Sequence, residues 1–342
     1  MTDWLARARA EGTPLIDGEQ VTFVWQGDHA PTLRSDLTGW WPGATPWQLR
    51  RVQQGVWVHS VELPLTAYLE YAFFDGPTRR PDPFNPHTAP GYGNNYVFMP
   101  DAPRPAWEPP RPNIPVGQVI QTELTSRLLT GGKRGVRLYT PPVSEPVPLL
   151  VVFDGQEYFE RARLPAILDH LQASGDLPPL AAVMVDNHPQ ARVPEYACSE
   201  ATLGFLVHEL LPWAKGQTAL LDTPGGHGVV GSSMGGLMAL YAGLRRPDLF
   251  GHVLAPSGAF GGRDESIVFS LLRSSAPRTE RVYQSVGTFE WLLTVNRRLR
   301  EVLVQQGYTA AYREFTAGHN YTAWAADLTP GLTWLYGRSL VE

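Results

Sequence analysis

The sequence predicts an α/β protein in which a small all-β sandwich precedes a larger domain built on a parallel sheet. Its 342 residues exceed the roughly 250–300 residues that one hydrophobic core usually supports. Short alternating strand patterns fill the first hundred residues, whereas strand and helix patterns alternate after a proline-rich segment. We therefore expect a sandwich over residues 1–100, a linker over 101–116 and the α/β domain over 117–342.

The composition is that of a folded protein, because hydrophobic residues make up 43% of the chain and charged residues 18%. A formal net charge of −5 disfavours nucleic-acid binding, and the single cysteine, Cys198, excludes an intramolecular disulfide. No apolar run reaches the roughly 18 residues of a membrane span, and the first residues lack the apolar core of a signal peptide. We expect a cytoplasmic protein without nucleic-acid or membrane partners; homo-oligomer formation stays open.

The first hundred residues contain three clear strand patterns. Residues 21–25 (VTFVW) and 56–63 (VWVHSVEL) alternate in the way that a half-buried strand requires, and 68–76 (YLEYAFFDG) ends in an Asp-Gly turn signal. Seven prolines then fall within residues 100–115. Because proline removes backbone donors and favours extended neighbours, this segment is predicted to be a semi-rigid linker.

The second domain repeats short apolar strands with helical patterns between them, which is typical of a parallel α/β sheet. Two helices are clear, at 205–214 (FLVHELLPWA) and at 291–307 (WLLTVNRRLREVLVQQG), the second ending at a predicted Gly307 cap. The strand candidates are LLVVFDG (149–155), AAVMVD (181–186), HGVVG (227–231), HVLAPS (252–257), RVYQSVG (281–287) and AAYREF (310–315).

The segment Gly231-Ser232-Ser233-Met234-Gly235 matches the G-x-S-x-G pattern of a nucleophile elbow. A strand pattern precedes it and a helical pattern follows, as that turn requires. Small residues on both sides let the turn be sharp and present Ser233 at a helix N-terminus, where negative charge is favoured. Ser233, and not its neighbour Ser232, has the right glycine spacing. The alternative is a glycine-rich turn in which Ser233 only caps the helix.

A serine nucleophile needs a base and an acid later in the chain. His319 follows the last strand pattern in a polar loop, whereas His252 fits a buried strand position. Glu290 lies in the loop after the preceding strand and is predicted to hold the His319 tautomer, with Asp264 and Glu265 as the substitutes. The alternatives are a surface histidine and a glutamate that only favours a helix N-terminus.

An oxyanion hole needs two backbone amides. One is predicted at Met234, directly after the nucleophile, and the other at Gly155 or Gln156, after an earlier strand; the same residues also fit a simple Asp-Gly turn. The pair His208-Glu209 lacks the second histidine of a zinc motif, and no nucleotide-binding glycine pattern occurs. We therefore expect neither a metal nor a cofactor.

The α/β part resembles the esterase family that includes enterochelin esterases and esterase D. The N-terminal part resembles the early-set immunoglobulin-like domain that precedes the hydrolase in enterochelin esterases. The matching stretches are VVFDGQ, the R-x-x-E-Y segment 192–196, ELLPW, GSSMGG, APSGAF, VGTFE and GHNYTAW, and in the first domain VTFVW, GVWVHSVEL and DPFNP (82–86).

This resemblance implies an α/β-hydrolase fold and a Ser-His-Glu triad at Ser233, His319 and Glu290. It also implies ester hydrolysis through an acyl-enzyme. In that family the immunoglobulin-like domain helps to shape the substrate site. The resemblance therefore makes Arg192, and Asn95 and Tyr96 at the end of the first domain, candidate contacts to a small-molecule ester.

The sequence leaves the substrate open. It shows no set of arginines or lysines that would indicate a triply charged ferric siderophore. A carbohydrate or feruloyl-type esterase, or an acyltransferase on the same fold, fits the motifs as well. A different class also stays open, namely a noncatalytic ligand-binding protein that retains the elbow.

Overall fold

The computed structural model describes residues 3–41, 43–108, 111–261, 264–274 and 281–337. Pro109 and Pro110 of the predicted linker lie outside these residues. The chain divides into two compact units. The first unit comprises Met1–Pro103, Gly287–Glu290 and Phe315–Ala323; the second comprises Arg104–Val286, Trp291–Glu314 and Trp324–Glu342.

The first unit contains two antiparallel sheets. One has the strand order β1-β2-β6-β5, and the other has the order β4-β3-β7-β8 with β9 also paired to β7. The elements are α1 (Trp4–Glu11), β1 (Leu15–Asp17), β2 (Gln20–Gln26), β3 (Thr32–Ser35), β4 (Trp47–Gln48), β5 (Arg50–Gln53), β6 (Val56–Glu62), β7 (Tyr68–Asp75), β8 (Thr78–Arg80) and β9 (Asn95–Phe98).

Both sheets contribute to one hydrophobic core, which makes this unit a β-sandwich. Val21 and Phe23 of β2 pack together with Leu33 of β3 and with Tyr71 and Phe73 of β7. Each of these side chains is fully buried. The predicted strands at 21–25, 56–63 and 68–76 are therefore confirmed, and their apolar positions form the core.

The second unit contains a sheet with the order β10-β11-β13-β12-β14-β15-β16-β17. Strands β12 to β16 pair in parallel, but β10 and β11 are antiparallel to their neighbours. The strands are β10 (Gln118–Thr125), β11 (Lys133–Thr140), β12 (Leu149–Phe153), β13 (Ala181–Val185), β14 (His227–Val230), β15 (Phe250–Pro256), β16 (Arg281–Gly287) and β17 (Thr309–Phe315).

The sheet also contains two strands that the sequence did not predict, β10 and β11, at its antiparallel edge. Strand β10 is exposed along almost its whole length, so it has no apolar run by which the sequence could reveal it. The central strands β12, β13 and β14 are buried at every position, which explains why their near-continuous apolar runs indicated a sheet covered on both faces.

The helices of the second unit lie between these strands along the chain. The predicted helix at 205–214 forms as α5, one π-helical turn (Leu206–Leu210) and α6. The helices are α2 (Gly155–Glu160), α3 (Leu164–Ser174), α4 (Arg192–Tyr196), α5 (Glu200–Phe205), α6 (Leu211–Lys215), α7 (Met234–Arg245), α8 (Ile267–Ser274), α9 (Leu293–Gln305) and α10 (Tyr321–Tyr336), with a 3₁₀ turn at Thr130–Gly132.

The predicted end of α9 is confirmed in detail. Gly307 has a positive φ of 74°, and its amide donates to the carbonyl of Val304 at 3.0 Å. The next amide, of Tyr308, donates to the carbonyl of Leu303 at 3.0 Å, which completes a Schellman cap. Among the residues that the structure describes, no helix combines the length and hydropathy needed to cross a membrane.

Candidate active site

Ser233 occupies a sharp turn between β14 and α7. Its backbone has φ 58° and ψ −124°, a conformation that non-glycine residues rarely adopt. A Cβ on Gly231 would lie 2.5 Å from the carbonyl carbon of Gly235, so the turn requires glycine at position 231. The amide of Ser233 donates to the carbonyl of Pro256 at 3.2 Å, which ties the turn to β15.

The two adjacent serines have different surroundings. Ser232 is fully buried, and its Oγ lies 2.6 Å from the hydroxyl of Tyr158 in α2. Burial raises the pKa of Tyr158, so this phenol stays protonated at neutral pH. Ser233 is partly exposed and stands at the head of α7. The surroundings of the two serines therefore favour Ser233 as the one that a ligand can reach.

His319 and Glu290 are brought together from loops that follow different strands. His319 Nδ1 lies 2.5 Å from Glu290 Oε2, and the other carboxylate oxygen of Glu290 accepts the Gly287 amide at 2.9 Å. The Glu290 side chain is fully buried, whereas that of His319 is 18% exposed. With Oε2 of Glu290 as the acceptor, the neutral imidazole carries its proton on Nδ1, and Nε2 is its unprotonated nitrogen.

The other candidate acids and the other histidine have different contacts. The His252 ring stacks on Tyr336 at 4.5 Å, and burial lowers the pKa of His252. Asp264 is exposed, and Glu265 is bound by the guanidinium of Arg273, which lowers the pKa of Glu265. Their contacts explain their positions without a catalytic role.

The predicted oxyanion donors are the first residues of two helices in the second unit. Met234 is the first residue of α7, and Gly155 and Gln156 are the first residues of α2. The residue before α2, Asp154, has a positive φ of 54°. This strained residue is 1% exposed and is fixed through its side chain, as described next.

Arg192 binds Asp154 with both arms of its guanidinium, Nε to Oδ1 at 2.7 Å and Nη2 to Oδ2 at 2.6 Å. The side-chain amide of Asn187 also donates, from Nδ2 to Asp154 Oδ1 at 2.7 Å. Asn95 is buried in β9, where it bonds to the backbone of Asn85 at 3.0 Å. The predicted substrate contacts of Arg192, Asn95 and Tyr96 stay predictions.

A cavity of 470 Å³ within the first unit contains the catalytic candidate His319. Arg34 and Arg79 both approach the Phe74 ring in this cavity, with guanidinium carbons 5.6 and 5.7 Å from its centroid. Sequence reasoning missed these residues, because they form no motif and because Arg34 lies on β3, distant in the chain from the β7–β8 hairpin that pairs Phe74 with Arg79. The lining residues are Arg34, Asp36, Trp40, Glu70, Phe74, Arg79, Tyr92, Asn94, His319 and Asn320.

Within the described ranges, no group of three or more His, Cys, Asp or Glu side chains is arranged to hold a metal ion. The candidate functional groups of the protein are a serine at a strand–helix turn, a histidine–glutamate pair and the backbone amides at the first residues of α2 and α7.

The sheet order, the elbow and the sandwich together define an α/β-hydrolase with an N-terminal β-sandwich, as predicted. Residues 127–335 match the Esterase family, whose description reads "Putative esterase". The chain therefore belongs to this esterase family, and the resemblance inferred from its motifs is confirmed.

Curated relatives are similar to this chain in sequence. The iron(III) enterobactin esterase of Dickeya dadantii (strain 3937) is 33% identical over 224 residues, 59% of this chain and 52% of that protein. The Escherichia coli K12 enzyme of the same name is 29% identical over 253 residues, which cover 71% of this chain and 63% of that protein. The match thus spans between about half and two thirds of the length of these curated relatives.

Solved structures match over more of their length. The ferric enterobactin esterase of Salmonella typhimurium superposes with a TM-score of 0.81 and 26% identity, covering 92% of this chain and 93% of that one. The enterobactin esterase of Shigella flexneri, solved in the presence of enterobactin, gives a TM-score of 0.78 and 25% identity, covering 94% of each chain.

Proposed function

We propose that this protein is a serine ester hydrolase that uses Ser233, His319 and Glu290 as a catalytic triad. The observation that carries the proposal is the 2.5 Å contact between His319 Nδ1 and Glu290 Oε2, since it fixes the tautomer that a general base needs. The strained backbone of Ser233 and the chain order of serine, acid and histidine support it.

In this mechanism Nε2 of His319 accepts the Ser233 hydroxyl proton while Oγ attacks the ester carbonyl. The resulting imidazolium is stabilised by Glu290 and then protonates the leaving alcohol, which forms an acyl-enzyme. Water activated by the same histidine releases the acid and restores Ser233. A triad of this kind supplies on the order of 10⁶-fold in kcat.

The developing oxyanion is assigned to the backbone amides of Met234 and of Gly155 or Gln156. Each lies at the start of a helix, where amide hydrogens are not used inside the helix and the dipole favours negative charge. Loss of one such donor in other hydrolases costs about 10²–10³ in kcat.

The cavity beside His319 favours an acyl or alcohol group that is aromatic and anionic. The guanidinium groups of Arg34 and Arg79 donate to the backbone carbonyls of Trp41 and Tyr92, and neither forms a salt bridge with any residue that the structure describes. Their remaining N–H groups and their positive charge can therefore attract an anionic ligand. Phe74 and the 65% exposed Tyr92 add ring surface to the same cavity. The names of the matched relatives point to esters of enterobactin type, and we propose siderophore-type esters as the substrate class.

The test compares wild type with Ser233→Ala, and with Ser232→Ala as the matched control. The substrates are p-nitrophenyl esters of increasing chain length, methyl ferulate, enterobactin and ferric enterobactin, and a fluorophosphonate probe reports the nucleophile. We expect Ser233→Ala alone to abolish hydrolysis and labelling.

Equal rates in wild type and Ser233→Ala would refute the mechanism. Preference for methyl ferulate over the siderophores would support the feruloyl-type alternative. Absence of both hydrolysis and probe labelling in the wild type would favour the noncatalytic ligand-binding protein.

A further inference from the structure

The loop that carries His319 is attached to the β-sandwich strands. The amide of Tyr68, the first residue of β7, donates to the carbonyl of Thr316 at 2.9 Å. The hydroxyl groups of Thr66 and Thr316 lie 3.0 Å apart. The start of this loop is thus held by backbone and side chains that are about 250 residues away in the chain.

Asp36, directly after β3, contacts the residues on both sides of His319. A Cβ on Gly318 would lie 2.3 Å from Asp36 Cγ, so the carboxyl group packs against the bare backbone there. On the other side, Asn320 Nδ2 donates to Asp36 Oδ2 at 3.3 Å, and Asn320 Oδ1 accepts the amide of Ala323 at 2.9 Å. One carboxyl group therefore meets both neighbours of the histidine.

Asp36 is itself fixed by the sandwich. Its Oδ1 accepts the indole N–H of Trp40 at 2.9 Å, and its Oδ2 accepts the amide of Glu70 at 2.9 Å. The residue is only 8% exposed. A buried side chain that makes several hydrogen bonds is held in one position, and it therefore also restrains the loop that it contacts.

We propose that Asp36 is a positioning residue that holds the imidazole of His319 against Glu290. The proposal rests on the assignment of His319 as the general base. A displacement of about 1 Å at a catalytic group typically costs on the order of 10²-fold in rate, so a firm anchor for this loop has a direct kinetic consequence.

The charge of Asp36 decides which variant preserves its role. Burial, with smaller contributions from the nearby carboxylates of Glu70 and Glu290, raises the pKa of Asp36 to about 8. The group is therefore mostly protonated near pH 7. Asp36→Asn keeps the size and the neutral charge, but its NH2 group replaces one of the two oxygens that accept N–H groups. Asp36→Ala leaves a gap and no acceptor beside Gly318 and Asn320.

The experiment measures kcat and KM on p-nitrophenyl acetate, which is too small to need the arginine-lined cavity. For Asp36→Ala we expect kcat to fall about 10- to 100-fold with KM within about twofold of wild type. For Asp36→Asn at pH 7 we expect a smaller fall in kcat than for Asp36→Ala, since the side chain still fills the site and keeps one acceptor oxygen. Asn320→Ala removes the hydrogen bond from Asn320 to Asp36, and we expect it to lower kcat as well.

Asp82→Ala is the matched control. Asp82 is also a buried aspartate of the sandwich, 4% exposed, and accepts bonds from Thr13 at 2.9 Å and Tyr71 at 2.8 Å. Its loss is expected to destabilise the fold as Asp36→Ala does, while kcat in the folded protein stays at the wild-type value. A merely structural role for Asp36 would make the two variants alike.

A second readout does not depend on any substrate. The proton between His319 Nδ1 and Glu290 Oε2, which lie 2.5 Å apart, is expected to give a low-field NMR resonance in the wild type. We expect that resonance to weaken in Asp36→Ala and to persist in Asp82→Ala. An unchanged resonance and kcat in Asp36→Ala, or in Asn320→Ala if the first variant does not fold, would overturn the proposal. A wild type without esterase activity would instead refute the proposed function, and the resonance would still judge the role of Asp36.

Discussion

Replacement of Arg192 by alanine separates two roles for this side chain. The sequence makes it a candidate substrate contact, whereas in the structure its guanidinium binds both oxygens of Asp154, directly before Gly155. If the second role is the important one, Arg192→Ala should weaken the fold and misplace the amide of Gly155. It should affect all esters alike.

The magnitude follows from the burial of the pair. Removing one partner of a buried ion pair costs about 3–5 kcal/mol, and the lower end applies because Arg192 is 28% exposed while Asp154 is 1% exposed. The side-chain amide of Asn187, which donates to Asp154 Oδ1 at 2.7 Å, still compensates part of the charge of Asp154. We therefore expect a loss of about 3 kcal/mol in the free energy of unfolding. At a denaturant slope of about 3 kcal/mol/M this lowers the urea midpoint by about 1 M.

The assay combines urea unfolding with kcat and KM for p-nitrophenyl acetate and for an anionic aromatic ester. Arg313→Ala is the matched control, since Arg313 binds the buried Asp327 at 3.0 Å with 35% exposure. Both variants should lose similar stability, but only Arg192→Ala should lose about 10²-fold in kcat on both esters. Unchanged stability, with KM raised only for the anionic ester, would refute this reasoning and establish Arg192 as a substrate contact.

Three further outcomes are expected. Glu290→Gln should lower kcat by about 10²–10⁴-fold, because the neutral amide no longer fixes the His319 tautomer. The measurement is kcat of both proteins across a range of pH, and a fall in kcat of less than about threefold at the optimum pH would contradict the triad. Gly231→Ala should destabilise the protein by about 3 kcal/mol or prevent folding, since its Cβ meets Gly235 at 2.5 Å; thermal unfolding at the wild-type temperature would argue against the elbow geometry. The raised pKa of Asp36, about 8, means that the native state binds its proton more tightly than the unfolded state, so stability should fall as pH rises from about 4 to about 8. Urea unfolding at several pH values checks this, and Asp36→Asn should flatten the slope.

Local patterns carried much of the fold. The strands around Phe23, Val151 and Val229 were predictable because most side chains at buried strand positions are apolar, whatever the partner strand is. Gly307 was predictable as a helix end for a similarly local reason, because glycine adopts without strain the positive φ that the residue after a helix often needs. Strand β10 was not predictable, since its exposed edge places no such demand on its residues.

The residues of the candidate triad were identified from order and spacing alone. Ser233 lies inside a short motif, and Glu290 and His319 follow successive strands, so chain order limited the choice. Their geometry, including the 2.5 Å contact between Nδ1 and Oε2, came from the structure, because side-chain distance depends on how the loops pack.

The sequence by itself determined the two-part architecture, the elbow and the chain order of the catalytic candidates, since each is written in neighbouring residues. Only the tertiary structure brought Asp36 to the His319 loop and Arg34 to the aromatic ring of Phe74. Asp36 and Asn320 are 284 positions apart, and no periodicity or turn signal spans such a distance. Contacts of this kind arise when a whole fold is packed, and they decide how a motif's side chains are held.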